Sequence, residues 1–215
     1  ITFNELFKMN NKILVITGTS LNSRETFYFN YRTFPDMSII EAIRISMSLP
    51  IVFTPRKYKI NNETHTFVDG SVLNNFPIYY FELFEQNFKS SNELLLKKEN
   101  PNNKFKLQTS NNENVLGIML LESHKNRNTI SYYKGFGIIN SFTTYIEAFI
   151  NTVYTKIEEA NFYNPITGNK HNFFKRVVTI TIPIDINIFN FSIDTKTKEI
   201  LLESGKKSLH EFLNL

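Results

Sequence analysis

His65-Thr66-Phe67-Val68-Asp69-Gly70-Ser71-Val72-Leu73-Asn74-Asn75-Phe76-Pro77 is the stretch on which the reading of this chain turns. His65 to Val68 is aromatic and β-branched, which predicts a short strand. Asp69-Gly70 then reads as a turn: Asp bonds its own backbone and tolerates a left-handed conformation, and Gly supplies positive φ. Asn74, Asn75 and Pro77 offer cap and first-turn chemistry for a helix running to about Phe88. Strand, turn and helix in so short a space is the layout of an α/β crossover, where working groups gather at the carboxyl ends of strands. Taken alone Asp69-Gly70 is a turn signal; its place at a strand end just before a helix makes the Asp69 carboxylate a candidate site.

Outward from this stretch the pattern stays alternating. Lys12 to Thr17 is a short apolar run of the kind that forms a buried strand, Gly18 to Glu25 a turn, and Thr26 to Asn30 a half-exposed strand carrying Phe27 and Phe29. Ile39, Ile40, Ile43 and Met47 recur at three and four residues between Pro35 and Pro50, predicting a helix from about Ser38 to Ser48. Residues 90–114 are rich in Asn, Lys, Ser and Glu and read as a surface insertion. Val115 to Leu121 predicts a buried strand, Ile138 to Ile157 an amphipathic helix, Val177 to Ile182 a last strand and Thr195 to Leu213 a closing helix. The aromatic stripe of the 138–157 helix suits a core face better than a membrane surface, because its polar side carries Glu147, Glu158 and Glu159 rather than Lys and Arg.

Composition narrows the function classes. With 41% apolar residues and 21 Phe among 215 residues, the chain is globular and large enough for one sizeable core. It has no cysteine, which removes disulfides, thiolate metal sites and thiol nucleophiles and fits a reducing, cytoplasmic compartment. His65, His124, His171 and His210 lack metal-ligand spacing, so no metal and no cofactor is expected. The longest apolar run, Val115 to Leu121, is far short of the roughly twenty residues of a bilayer span. A net charge of +4 is spread over scattered basic pairs with acidic residues between them, so no nucleic-acid partner is expected.

Two motifs carry a resemblance. Ser46-Met47-Ser48-Leu49-Pro50-Ile51-Val52-Phe53 matches the Ser-x-x-x-Pro-x-x-Phe stretch of patatin-like phospholipases, and Asp69-Gly70-Ser71 with Asn75 and Pro77 resembles their Asp-Gly-Gly/Ala motif. Ser71 stands where the family has Gly or Ala. Thr2 to Leu6, Ile16 to Asn22 and the closing helix look similar at lower specificity. The resemblance implies a patatin-like three-layer α/β/α fold, and a chain that is the C-terminal part of one such domain over 1–215, with the insertion at 90–114. It also implies a Ser-Asp dyad in which Asp69 is the base, and phospholipase A-type hydrolysis of membrane phospholipid or another acyl-ester lipid, with transient membrane contact. His65 shares a strand face with Asp69 and invites a triad; the family uses none, and an exposed strand histidine is the simpler reading. Ser46 reads as a helix-end or packing residue.

The dyad's other half is the difficulty. None of the seven glycines opens G-x-S-x-G, the elbow that holds a nucleophilic serine on a tight strand-to-helix turn. Gly18-Thr19-Ser20-Leu21-Asn22 comes nearest, but Asn22 replaces the second glycine and no helical pattern follows, so Ser20 is a poor nucleophile. The family's glycine-rich oxyanion loop is absent from this sequence too. The expectation is therefore an enzyme half, inactive alone, whose serine comes from an N-terminal segment or a second chain. A non-catalytic lipid-binding or interaction module that keeps the fold is the alternative.

Overall fold

The structure, a computed structural model, describes residues 1–50, 52–78, 80, 115–122, 139–142, 144–146, 148–149, 152–153, 156–157, 175–182 and 192–213. It is a mixed α/β protein whose chain divides into two compact units.

The first unit contains Ile1–Pro77. Helix α1 (Phe3–Asn10) starts on a capping box: Thr2 Oγ1 accepts from the Glu5 amide at 3.2 Å and a Glu5 carboxylate oxygen accepts from the Thr2 amide at 2.8 Å. Strands β1 (Ile16–Ser20) and β2 (Glu25–Phe29) form an antiparallel hairpin. β1 lies four residues later than its apolar run suggests, and the turn shrinks to 21–24 with Arg24 at φ 59°. The shift has a packing cause. Pairing Ile16 with Phe29 and Gly18 with Phe27 sets the aromatic residues against the core, and Gly18 must sit in the strand because a Cβ there would lie 2.5 Å from Ile45 Cγ2.

Helix α2 (Ile39–Ser46) buries Ile39, Ala42 and Ile45. The small Ala42, not the larger Ile40 and Ile43, faces inward; both of those isoleucines and Met47 are exposed. Strands β3 (Arg56–Ile60) and β4 (Glu63–Asp69) pair antiparallel across Asn61-Asn62, both at positive φ, as a two-residue turn between twisted strands requires. The sequence predicted only the middle of β4. β3 escaped because Arg56, Lys57 and Lys59 read as polar surface; as an edge strand it keeps Lys57 and Lys59 in solvent while Tyr58 and Ile60 pack inward.

The sheet order is β2-β1-β4-β3, antiparallel throughout. One face carries Phe27, Phe29 and Phe67 against Phe3, Met37, Ile39, Ala42 and Ile45. The Phe67 ring meets Phe27 edge-on at 5.2 Å and Phe29 at 5.5 Å. On the other face, residue alternation places Thr17, Thr19, Tyr28 and Val68. There the one-turn helix α3 (Ser71–Asn74) follows β4 directly, and Asn74 Nδ2 donates to the Tyr28 hydroxyl at 2.9 Å. Asn74 is the last residue of this helix. The stretch expected to continue to Phe88 and the insertion at 90–114 lie outside the described residues, apart from the helical position Tyr80.

The second unit holds a parallel pair, β5 (Gly117–Glu122) and β6 (Val177–Ile182), in register from Gly117 against Val177. Helix α4 (Thr195–Leu213) packs on β6, with Ser204 Oγ donating to the Thr181 carbonyl at 2.6 Å. Its start is marked by Asp194, whose carboxylate accepts from the Thr197 amide at 2.7 Å; this bonding to Thr197 lowers the Asp194 pKa. Residues 142, 144–146, 148–149, 152–153 and 156–157 are helical, within the span expected to be. No helix among the described residues is long and apolar enough to cross a membrane.

Phe29 is fully buried and touches the rings of Phe34 and Phe67. Phe29→Ala is therefore expected to cost about 3–5 kcal/mol of unfolding free energy. Urea denaturation followed by circular dichroism checks this, and a loss under about 1 kcal/mol would contradict the packing described.

Candidate active site

Asp69 is the last residue of β4, half-buried, with its Cα opposite Gly18 of β1. Four hydrogen bonds determine where its carboxylate stands. The Asp69 amide donates to the Ser48 carbonyl at 2.9 Å. One carboxylate oxygen, Oδ1, accepts from the Ser71 amide at 2.8 Å, closing a tight side-chain turn. The Gly70 carbonyl accepts from the Leu73 and Asn74 amides at 3.3 and 2.9 Å, which starts α3 immediately behind the carboxylate. With Oδ1 engaged, no hydrogen bond among the described residues holds Oδ2.

Gly70 is needed for a different reason from the one its turn chemistry suggests. Its φ is −63°, an ordinary helical value. A Cβ there would lie 2.3 Å from Thr17 Oγ1, 2.7 Å from Thr17 Cβ and 2.8 Å from the Thr17 carbonyl carbon. The glycine is a matter of space: the chain leaving β4 presses directly onto β1, and Thr19 Oγ1 reaches the Gly70 carbonyl at 3.5 Å.

The two sequence motifs meet physically through the bond from the Asp69 amide to Ser48. Ser46, the last residue of α2, is a helix-end residue as expected. Ser48, two residues further on in the same motif, carries no local signal of its role. It is 3% exposed, and its hydroxyl donates to the Arg44 carbonyl at 2.6 Å. A second such tie is the forked pair of Arg56 with Glu41, with Nε–Oε1 3.2 Å, Nη2–Oε1 3.0 Å and Nη2–Oε2 3.2 Å, which fastens α2 to the edge strand β3. No local spacing signals it, because the partners are brought together only by the sheet.

His65 does not join Asp69. Its Nδ1 lies 3.0 Å from Ser20 Oγ, and its ring sits half-buried against Phe27 and Phe67. Four residues of strand separate it from Asp69, roughly 13 Å along the chain. Ser20 is fully buried, holds His65 and accepts from the Ser23 amide at 3.3 Å, so it is structural. No group of three His, Cys, Asp or Glu able to hold a metal ion occurs among the described residues.

Comparison with known proteins bears out the likeness read from the motifs. Residues 2–82, which contain α1 to α3 and Asp69, match the family model of the patatin-like phospholipases. The chain is 31% identical over 134 residues to the "Probable lipid hydrolase 463L" of Invertebrate iridescent virus 6, covering 62% of this chain and 38% of that protein. It is 25% identical over 205 residues to "Uncharacterized protein R571" of Acanthamoeba polyphaga mimivirus, covering 95% of this chain and 56% of that one. Over 48 residues it is 50% identical to "Uncharacterized protein YqhO" of Bacillus subtilis (strain 168), covering 22% of this chain and 16% of that protein. The matches thus span less than two thirds of each relative's length.

Gly70→Ala is expected to destabilise the protein by roughly 1–3 kcal/mol, the usual cost of overpacking. Adding Thr17→Ala should restore only part of this, because the Thr17 backbone carbon also blocks the methyl; full recovery in thermal melts would contradict the close approach. Tyr28 gives a pH test. Burial pushes its phenol above the ordinary value of 10.0, against a smaller opposing effect of the Asn74 hydrogen bond. The folded pKa is the higher one, so the stabilisation is fully present below pH 10.0 and is lost as pH rises through the folded value. Melting temperatures above pH 10.0 should accordingly fall less steeply for Tyr28→Phe than for the wild type. Equal slopes would refute the assignment.

Proposed function

We propose that this chain supplies the catalytic base of a patatin-like lipid acyl hydrolase, that Asp69 is that base, and that the nucleophilic serine comes from polypeptide outside these 215 residues. The observation that carries the reading is the Asp69 carboxylate itself. It stands at a strand end, with Oδ1 bonded to the Ser71 amide and Oδ2 without a hydrogen bond among the described residues. The family match over residues 2–82 and the absence of any G-x-S-x-G in the sequence support the division of labour, as does the greater length of the relatives.

The chemistry follows from one proton acceptor acting twice. As the serine oxygen attacks the ester carbonyl carbon of a lipid, its proton passes to Asp69 Oδ2. The tetrahedral intermediate collapses, the carbon–oxygen bond to the lysolipid or other alcohol breaks, and Asp69 returns the proton to the departing oxygen. Water then attacks the acyl-serine, gives its proton to Asp69, and the fatty acid leaves as the proton returns to the serine. A carboxylate is a weak base toward a hydroxyl, so the step depends on close placement and on donors that stabilise the oxyanion. The substrate class is an acyl-ester lipid such as a membrane phospholipid, met at the bilayer surface during turnover.

Asp69→Asn is the direct test, because an Asn Oδ1 still accepts from the Ser71 amide and preserves the turn. In the enzyme assembled with its serine, hydrolysis of phospholipid vesicles should fall by roughly 10²- to 10⁴-fold while the thermal melt is unchanged. Wild-type turnover by this variant would reject Asp69 as the base. Vesicle binding with no hydrolysis by the assembled wild type would favour a non-catalytic lipid-binding module instead.

A further inference from the structure

We propose that Ser48 is a positioning residue for the Asp69 base, holding it through the backbone from the end of helix α2; the inference rests on the dyad reading above. Ser48 is almost completely buried, and its backbone amide, side-chain hydroxyl and carbonyl are all engaged. Its amide donates to the Ile45 carbonyl at 3.0 Å, its hydroxyl donates to the Arg44 carbonyl at 2.6 Å, and its own carbonyl accepts from the Asp69 amide at 2.9 Å. The Arg44 carbonyl belongs to the last turn of α2, where backbone acceptors lack a helical partner and need a substitute. The hydroxyl supplies it, and the same bond sets the rotation of the Ser48 backbone.

That rotation decides where the Ser48 carbonyl points, and hence where the end of β4 is held. Asp69 pairs with Gly18 on one side, and the bond to Ser48 is what its amide makes where the strand stops. From there a single step reaches the carboxylate, because Oδ1 is fixed by the amide of Ser71, two residues along. Arg44, Ser48, Asp69 and Ser71 thus form a relay of three hydrogen bonds from a helix end to the Asp69 carboxylate. The forked Glu41–Arg56 pair clamps the other end of α2 to β3, so the relay starts from a helix fixed on the sheet. Removing the Ser48 hydroxyl leaves the Arg44 carbonyl without this partner and frees the segment to turn.

A residue that acts only by placing the base changes the rate of the chemical step and leaves lipid binding alone. In the assembled enzyme, Ser48→Ala is expected to lower kcat by about 10- to 100-fold with KM unchanged, in line with the effect of sub-ångström to ångström misplacement. Ser48→Cys, similar in size but a poor donor, should show the same loss if Ser48→Ala folds badly, and Ser48→Thr, which keeps the hydroxyl, should recover kcat. In an Asp69→Asn background Ser48→Ala should have no further effect, because what it misplaces is already gone. Unchanged kcat in Ser48→Ala and Ser48→Cys, with Asp69→Asn inactive, would overturn the positioning role and leave the dyad standing. An equal loss in both backgrounds would also overturn it. Full activity of Asp69→Asn would sink the dyad and this inference together.

Discussion

Three residue pairs, Gly18 with Asp69, Thr19 with Val68 and Ser20 with Phe67, join two hairpins into one sheet, and the rest of the first unit depends on that seam. β1–β2 and β3–β4 are each local, and an isolated hairpin is marginal in water. Once β1 and β4 pair, Phe27, Phe29 and Phe67 meet on one face and α2 can cover them. Two glycines stand at one end of the seam. Gly18 makes room for Ile45 on the α2 side, and Gly70 makes room for Thr17 on the α3 side, so the chain can pass from one layer through the sheet end to the other within a few residues.

The candidate base is a product of this geometry. Asp69 is the last residue of the seam, so its backbone is held by the ladder while its side chain lies where the ladder stops. The Ser48 carbonyl and the Ser71 amide approach it from the segments on either side, after α2 and at the start of α3. A weak base needs such restraint more than a strong one does, since placement contributes what basicity does not. Ser20 and His65, which look like catalytic partners on paper, serve the seam instead, bonded to each other, with the His65 ring against Phe27 and Phe67.

Much of this was legible in residue order, and the failures have physical reasons. α2, β2, β6, α4 and the core of β4 follow from periodicity, and the strand-end place of Asp69 follows from strand, turn and helix signals in one stretch. The place of β1 is not legible in its own apolar run because its register is chosen by Phe27 and Phe29 on another strand, and β3 carries no strand signal because an edge strand tolerates lysines. The Thr2 and Glu5 capping box of α1 is legible in the sequence. The role of Gly70 is ambiguous in sequence because turn chemistry and steric clearance ask for the same residue. Ser48 and the Glu41–Arg56 pair act across the fold, and local spacing is silent about such contacts.

On the proposed mechanism, Asp69 acts on a serine that lies outside these 215 residues. Covalent labelling addresses it most directly: treat the assembled enzyme with a fluorophosphonate, which modifies only an activated serine, and locate the adduct by peptide mass spectrometry. The expected result is one labelled serine, within a G-x-S-x-G outside these 215 residues, and labelling that slows sharply in Asp69→Asn. An adduct on Ser20, Ser46 or any other serine of this chain, or a labelling rate indifferent to Asp69→Asn, would contradict it.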